Sequence, residues 1–177
     1  MIEETSARNE PPTSICIGCG LCCDGTLHGK TTVRPGDQAA VTAIGLEVAG
    51  DEGKRFFRQP CLRFSCGTCT VYDRRPGVCR TYNCALLERV KAEEIAPAAA
   101  LETIAKAKRL IAAVRAIDRA AVTPAERTEL VARLREQLGQ REGPSRDAAA
   151  KAILDMGVLE YFLKRWFLKP DEREGDL

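Results

Sequence analysis

One eight-residue stretch constrains the fold of this chain more than any other. It reads Cys16-Ile-Gly-Cys19-Gly-Leu-Cys22-Cys23, with four thiols and two interleaved glycines. Because it lacks the apolar periodicity of an amphipathic element, we predict a loop. Thiolates are the usual ligands of zinc, copper(I) and iron–sulfur clusters, so the loop is predicted to wrap a thiophilic metal.

Five further cysteines supply a second group of candidate ligands: Cys61, Cys66, Cys69, Cys79 and Cys84. Residues 1–12 are polar and lack the basic start and apolar run of a signal peptide, which favours a cytoplasmic, reducing location. Clustered cysteines in that compartment indicate metal binding or redox chemistry rather than structural disulfides.

Charge and hydropathy exclude two classes of partner. The chain has 27 basic and 25 acidic residues, a net charge of +2. Proteins that hold nucleic acid by phosphate contacts usually carry a basic face, so we expect no nucleic-acid partner. No stretch approaches the ~18 uninterrupted apolar residues of a transmembrane helix, so we expect no membrane partner either.

The cysteines also divide the chain, because none follows residue 84. We predict a flexible arm over 1–14, a cysteine-cluster metal-binding domain over 15–84, a helical region over 85–168 and an acidic tail over 169–177. The fold class is then α+β: a small cysteine-rich domain with short strands and one short helix, followed by a helical C-terminal region. Strands are predicted at 30–34 and 70–72, and the short helix at 37–44.

Apolar periodicity and capping signals predict four helices in the second half, at 85–95, 97–121, 124–139 and 145–168. Thr123-Pro-Ala-Glu126 is a capping box with proline at the first helical position. Phe162, Trp166 and Phe167 are predicted to form a core stripe. The alternative is that these C-terminal helices dock a protein partner.

The cysteine spacing does not identify which metal is bound. The C-x2-C pairs Cys16/Cys19 and Cys66/Cys69 suit a structural zinc site. Cys16, Cys19 and Cys22 instead have the C-x2-C-x2-C spacing of a ferredoxin-type iron–sulfur cluster. The adjacent Cys22 and Cys23 are predicted to point apart and to serve two centres, or to include one exchangeable ligand. One centre and two centres both remain open.

The combined pattern resembles the CxxCxxCC cysteine-cluster family (YkgJ-type). The matching residues are Cys16-x2-Cys19-Gly-x-Cys22-Cys23, then Cys61, then Cys69-x2-Tyr72-x2-Arg75-Pro76-x2-Cys79-Arg80-x-Tyr82-x-Cys84. The resemblance covers residues 16–84 and implies a zinc- or iron-chelating domain. The ligands that it implies are Cys16, Cys19, Cys22, Cys23, Cys61, Cys69, Cys79 and Cys84. Cys66 lies outside the pattern and is either a further ligand or a buried free thiol.

Three polar residues among these ligands allow two interpretations of their role. Tyr72, Arg75 and Arg80 can offset thiolate charge or bond to sulfur around the metal. They can equally serve the fold, with the tyrosine in the core and the arginines paired to carboxylates. His28 is the one histidine of the chain, and we expect a solvated loop residue rather than the histidine of a Cys3His site.

These observations favour a metal-binding protein, holding zinc or iron or an iron–sulfur cluster, over an enzyme. The alternative is a redox or protein-modifying enzyme component that uses an iron–sulfur centre. Flagellin lysine methylases resemble the same cysteine pattern. This chain is shorter than expected for one and lacks a glycine-rich nucleotide loop after a strand.

Overall fold

The computed structural model describes residues 12–172, apart from 52 and 141, and has the predicted α+β fold. Its α-helices are α1 (Pro12–Cys19), α2 (Gln38–Ala43), α3 (Gly77–Thr81), α4 (Ala85–Lys91), α5 (Pro97–Ile117), α6 (Pro124–Leu138) and α7 (Pro144–Trp166). Most of the predicted arm, residues 1–11, and residues 173–177 of the predicted tail lie outside the described residues.

Four short strands form two separate hairpin-like pairs. β1 (Lys30–Thr32) pairs antiparallel with β2 (Phe56–Arg58), with Lys30 opposite Arg58. β3 (Phe64–Ser65) pairs antiparallel with β4 (Thr68–Cys69). Cys66 and Gly67 connect β3 to β4 with φ values of 49° and 80°, the positive φ at both positions that a type I′ turn requires.

The larger of two cores lies among α5, α6 and α7. Buried residues recur along α5 at the helical spacing: Ala100, Ile104, Ala107, Ile111 and Val114. The predicted stripe on α7 packs here, since Phe162 and Phe167 are buried. Leu21 and Leu27 from the cysteine segment join the same core. The helical half and the first cysteine loop therefore share one hydrophobic cluster.

A smaller core lies beneath the β1–β2 pair. It consists of Val33, Val41, Leu46 and Phe57. Cys61 and Cys79 pack against its edge, whereas Cys19, Cys22 and Cys84 pack against the larger core. These five cysteines therefore lie at the margins of two hydrophobic clusters.

Several local predictions were wrong. The cysteine segment has three short α-helices, α1, α2 and α3, where one was predicted. The stretch that begins at Cys16 is helical as far as Cys19, because Ile15 is buried in the larger core and tertiary packing stabilises a helix that the sequence pattern does not suggest. Residues 70–72 form no strand; a 3₁₀ turn runs over Tyr72–Arg74 instead. In the described part of the chain, every helix is too short or too polar to span a bilayer.

Candidate metal centre

Helix α1 and the turn after it position the first four cysteines. Cys16 and Cys19 lie three residues apart and so share one face of the helix. Gly20 ends the helix with a φ of 75°, and its carbonyl accepts hydrogen bonds from the backbone N–H of Cys23 (2.8 Å) and of Asp24 (2.9 Å). A Cβ at Gly20 would lie 2.3 Å from the ring of Phe64, so only glycine permits this close approach.

The second cysteine group lies against the first loop. The backbone N–H of Cys61 donates to the carbonyl of Cys23 (2.8 Å), which joins the two segments. Cys69 lies in β4, and Cys84 lies at the N-terminal cap of α4. α1 contacts both α4 and β4, so residues far apart in the sequence meet here.

A residue distant in sequence caps the helix that carries Cys79. Cys79 lies in α3, whose first N–H groups, those of Gly77 and Val78, donate to the Asp37 carboxylate at 2.9 and 2.7 Å. Asp37 is the first residue of the short helix predicted at 37–44. It precedes α2, but its side chain makes no capping hydrogen bond there and stabilises α3 instead.

We group eight thiols into two sets of four by the neighbours that act on each thiol, and Cys23 of the second set also acts on Cys16 and Cys22 of the first. The first set is Cys16, Cys19, Cys22 and Cys84. Burial raises the pKa of Cys16 and of Cys19, to about 12 for Cys19, and the negative charge of Cys84 raises both further. The second set is Cys23, Cys61, Cys69 and Cys79. Burial raises the pKa of Cys79 to about 12, and further increases come from the charges of Cys23, Cys61 and Cys69.

The two sets meet at the vicinal pair, Cys22 and Cys23. Their sulfur atoms are 3.8 Å apart, so the prediction that these side chains point apart was wrong. The two thiols share a hydrogen bond in which either sulfur can be the donor. This hydrogen bond is the main reason that the pKa of Cys22 is raised and that of Cys23 is lowered. Cys23 is thus the more acidic thiol of the pair.

The thiols are close together but do not form a finished coordination sphere. Within residues 12–172, no group of three or more histidine, cysteine or acidic side chains has the geometry to hold a metal ion. All nine cysteines are free thiols. The donor set nevertheless suits a soft metal, since thiolate sulfur is itself a soft ligand. Metal binding requires them to move together and lose their protons.

Cys66 differs from the cysteines of both sets in its environment. It is exposed at the tip of the β3–β4 turn, where it accepts a weak hydrogen bond from the Ser65 hydroxyl (3.7 Å). The interpretation of Cys66 as a buried free thiol is therefore wrong.

Arg75 is the cation that acts on both sets of thiols. Its guanidinium stacks on the Tyr72 ring at 3.6 Å, and its Nε donates to the Tyr72 carbonyl at 2.8 Å. The charge of Arg75 favours the ionised thiols, because it opposes the burial that raises the pKa of Cys16 and Cys79. Arg80 is exposed on α3.

A polar cluster beside the first set was not predicted. Nε2 of His28 lies 2.9 Å from the Tyr82 hydroxyl and 3.9 Å from Oε1 of Glu172. Burial raises the pKa of Tyr82, and the charges of Glu172, Cys84 and Cys22 raise it further. His28 was expected to be solvated, but it is half-buried in this cluster. No sequence signal links Glu172 to His28, because the fold alone brings them together.

Comparison with known proteins gives one match. The model of the CxxCxxCC family, described as "Putative zinc- or iron-chelating domain", matches residues 15–108. The match extends past residue 84 into α5, further than the cysteine pattern itself. Neither the curated proteins nor the solved structures contain a significant match to this chain.

Proposed function

This chain belongs to the CxxCxxCC family, and from that premise we propose that it binds two metal ions, each through four thiolates. The first set would hold one ion and the second set the other. The observation that carries the proposal is that Cys19, Cys22 and Cys84 pack against the larger hydrophobic core, whereas Cys61 and Cys79 pack against the smaller. Four thiolates in a tetrahedron are a common structural zinc site.

The electrostatics of the cluster fit metal binding. Burial keeps most of these thiols protonated in the metal-free chain, because a buried thiolate is poorly solvated. A divalent cation displaces those protons and supplies the charge that the thiolates need. Arg75 offsets part of the remaining negative charge from beside both sets. Free thiols in this number also fit a reducing compartment, so we infer a cytoplasmic location.

A second candidate is an iron–sulfur centre at the first set. Cys16, Cys19 and Cys22 have the ferredoxin-type spacing, and the contact between α1 and α4 brings a remote fourth thiol, Cys84, beside them. Three closely spaced cysteines and one distant cysteine are the usual ligands of such a cluster. The protein would then be an electron-transfer or modifying-enzyme component.

Anaerobic purification followed by elemental analysis tests both candidates. A colourless protein with two zinc ions per chain supports the first. A brown protein with absorbance near ~400 nm and acid-labile sulfide supports the second. A colourless, metal-free protein after purification and after reconstitution with zinc or iron would contradict both.

Set-specific substitutions test the assignment of ligands. Cys84→Ser should abolish the first metal and Cys79→Ser the second, so each variant should retain half of the metal. The double variant should retain none, and Cys66→Ser is the matched control that should retain all. Release of both metals by either single variant, in protein that is still folded by circular dichroism, would contradict two separate centres.

A further inference from the structure

A cavity of about 360 Å³ opens beside the vicinal pair. Three of the proposed metal ligands, Cys22, Cys23 and Cys79, form one side of it. The volume lies within the range of sites that bind small molecules. Any ligand in this cavity would lie directly against both sets of thiols.

The remaining walls carry more positive than negative charge. Among the described residues, three cations, Lys30, Arg34 and Arg75, and one carboxylate, that of Glu172, line the cavity. The cations come from β1, from the segment after it and from the residues before α3, so three separate parts of the chain converge. Cations arranged in this way favour an anion, and guanidinium groups match a carboxylate by paired hydrogen bonds.

Hydrogen-bond acceptors line the same cavity. Glu172 lies beside His28 at one part of the wall. Gln59, which is only 9% exposed, donates from Nε2 to the Thr31 hydroxyl at 2.9 Å. Its Oε1 has no hydrogen-bond partner among the described residues. Buried acceptors without partners are uncommon, so a ligand that brings a donor would suit this wall.

We propose that the cavity binds a small carboxylate that also carries an ammonium or another hydrogen-bond donor. The carboxylate would face the cations, and the donor would face Glu172. The inference rests on the proposed function only in that three metal ligands form one wall.

The test uses 4-aminobutyrate, whose separated carboxylate and ammonium make it a weak metal chelator. Two analogues each lack one group: butyrate has no ammonium, and 4-aminobutyramide has no carboxylate. Ligand-observed NMR titration of the purified protein with its bound metal should show binding of 4-aminobutyrate. Each analogue should bind at least ~10-fold more weakly, which corresponds to about 1.4 kcal/mol.

Substitutions outside the metal ligands locate the site. The double variant Lys30→Gln/Arg34→Gln should weaken 4-aminobutyrate binding at least ~10-fold, equivalent to the loss of one good charged hydrogen bond. Arg58→Gln is the matched control, because Arg58 is opposite Lys30 across the strand pair and does not line the cavity. Its affinity should equal that of the unsubstituted chain.

The outcomes separate this inference from the metal proposal, because metal content is measured on the same samples. Full metal with no binding of 4-aminobutyrate overturns the inference alone. Equal affinity in the double variant also overturns it. The double variant could instead lose metal while its affinity for 4-aminobutyrate stays unchanged. That result would mean that Lys30 and Arg34 only offset thiolate charge, and it would also overturn the inference. Selective binding by a protein that proves metal-free supports the inference and contradicts the metal proposal.

Discussion

Arg127 on α6 links the helical half to the first cysteine loop. It is 3% exposed. Its guanidinium donates to the Thr26 carbonyl at 3.1 Å, to the Val122 carbonyl at 2.5 Å and to Oε1 of Glu160 at 2.5 Å. Thr26 follows the vicinal pair by three residues, so this side chain helps to fix the loop that carries Cys22 and Cys23. Arg127→Met removes the donors and keeps most of the apolar stem.

The expected cost follows from the groups that lose their partner. Each buried acceptor left unpaired costs about 1–3 kcal/mol; the Thr26 carbonyl is buried, and the Val122 carbonyl belongs to a partly buried residue. The Glu160 side chain is 35% exposed, so water can solvate it and its contribution is small. We therefore expect the free energy of unfolding to fall by about 3 kcal/mol. For a chain of this size, that lowers the melting temperature by roughly 6–12 °C.

Urea unfolding measures this loss of free energy of unfolding. The two proteins are compared at equal metal content, because bound metal adds its own stabilisation. Arg133→Met is the matched control. Arg133 lies on the same helix and pairs with Asp118 at 2.6 Å, but its side chain is 56% exposed. Exposed ion pairs contribute at most about 1 kcal/mol, so the control should lose less than that. Equal losses in the two variants, or a loss below ~1 kcal/mol for Arg127→Met, would refute the reasoning.

Three further predictions concern the cysteine segment. Asp37→Ala should lower the free energy of unfolding by about 1–2 kcal/mol, because it removes the cap of α3. Urea unfolding measures this loss, and an unchanged free energy of unfolding would show that the cap is dispensable. Cys66→Asn should keep full metal content by elemental analysis and raise the free energy of unfolding by up to ~1 kcal/mol, because asparagine before glycine suits a type I′ turn. Less metal would identify Cys66 as a ligand. Burial raises the pKa of Cys19 and Cys79 from 9.0 to about 12 in the metal-free fold, so the folded chain keeps protons that the unfolded chain releases. The melting temperature of metal-free protein in EDTA should therefore fall between pH 9 and pH 12, and a rise over that interval would contradict the burial of these thiols.

The helical half could be predicted because its signals are local. The capping box at Thr123 is present, with the hydroxyl accepting from the Glu126 N–H and the Glu126 carboxylate accepting from the Thr123 N–H. The prolines at 97 and 124 open α5 and α6 as expected. The end of α5 was predicted four residues too late. Asp118 accepts from the Ala120 N–H at 2.8 Å, and this local turn competes with continued helix.

The cysteine segment was less predictable because its elements are too short to be stable alone. Its strands have two or three residues each, and only contacts with distant residues hold them. Cysteine spacing predicts that thiols cluster, but it does not predict which ones share an environment. Cys84 joins Cys16 because α4 packs on α1, and Asp37 reaches α3 across forty residues of sequence. Such pairings depend on tertiary structure, which a spacing pattern does not encode.

The two cores differ in size, and this difference bears on what each of the two proposed metals would do for folding. The smaller core has four buried apolar side chains among the described residues, yet it lies under both strands of the β1–β2 pair and under the edge that carries Cys61 and Cys79. Burial on that scale rarely offsets the conformational entropy of a segment of this length, so natural proteins add a disulfide or a metal. The cysteines here are free thiols, so a metal at the second set, as proposed above, would supply that stabilisation. The second set should therefore contribute more to folding than the first, because Cys84 and Cys22 already pack against the larger core.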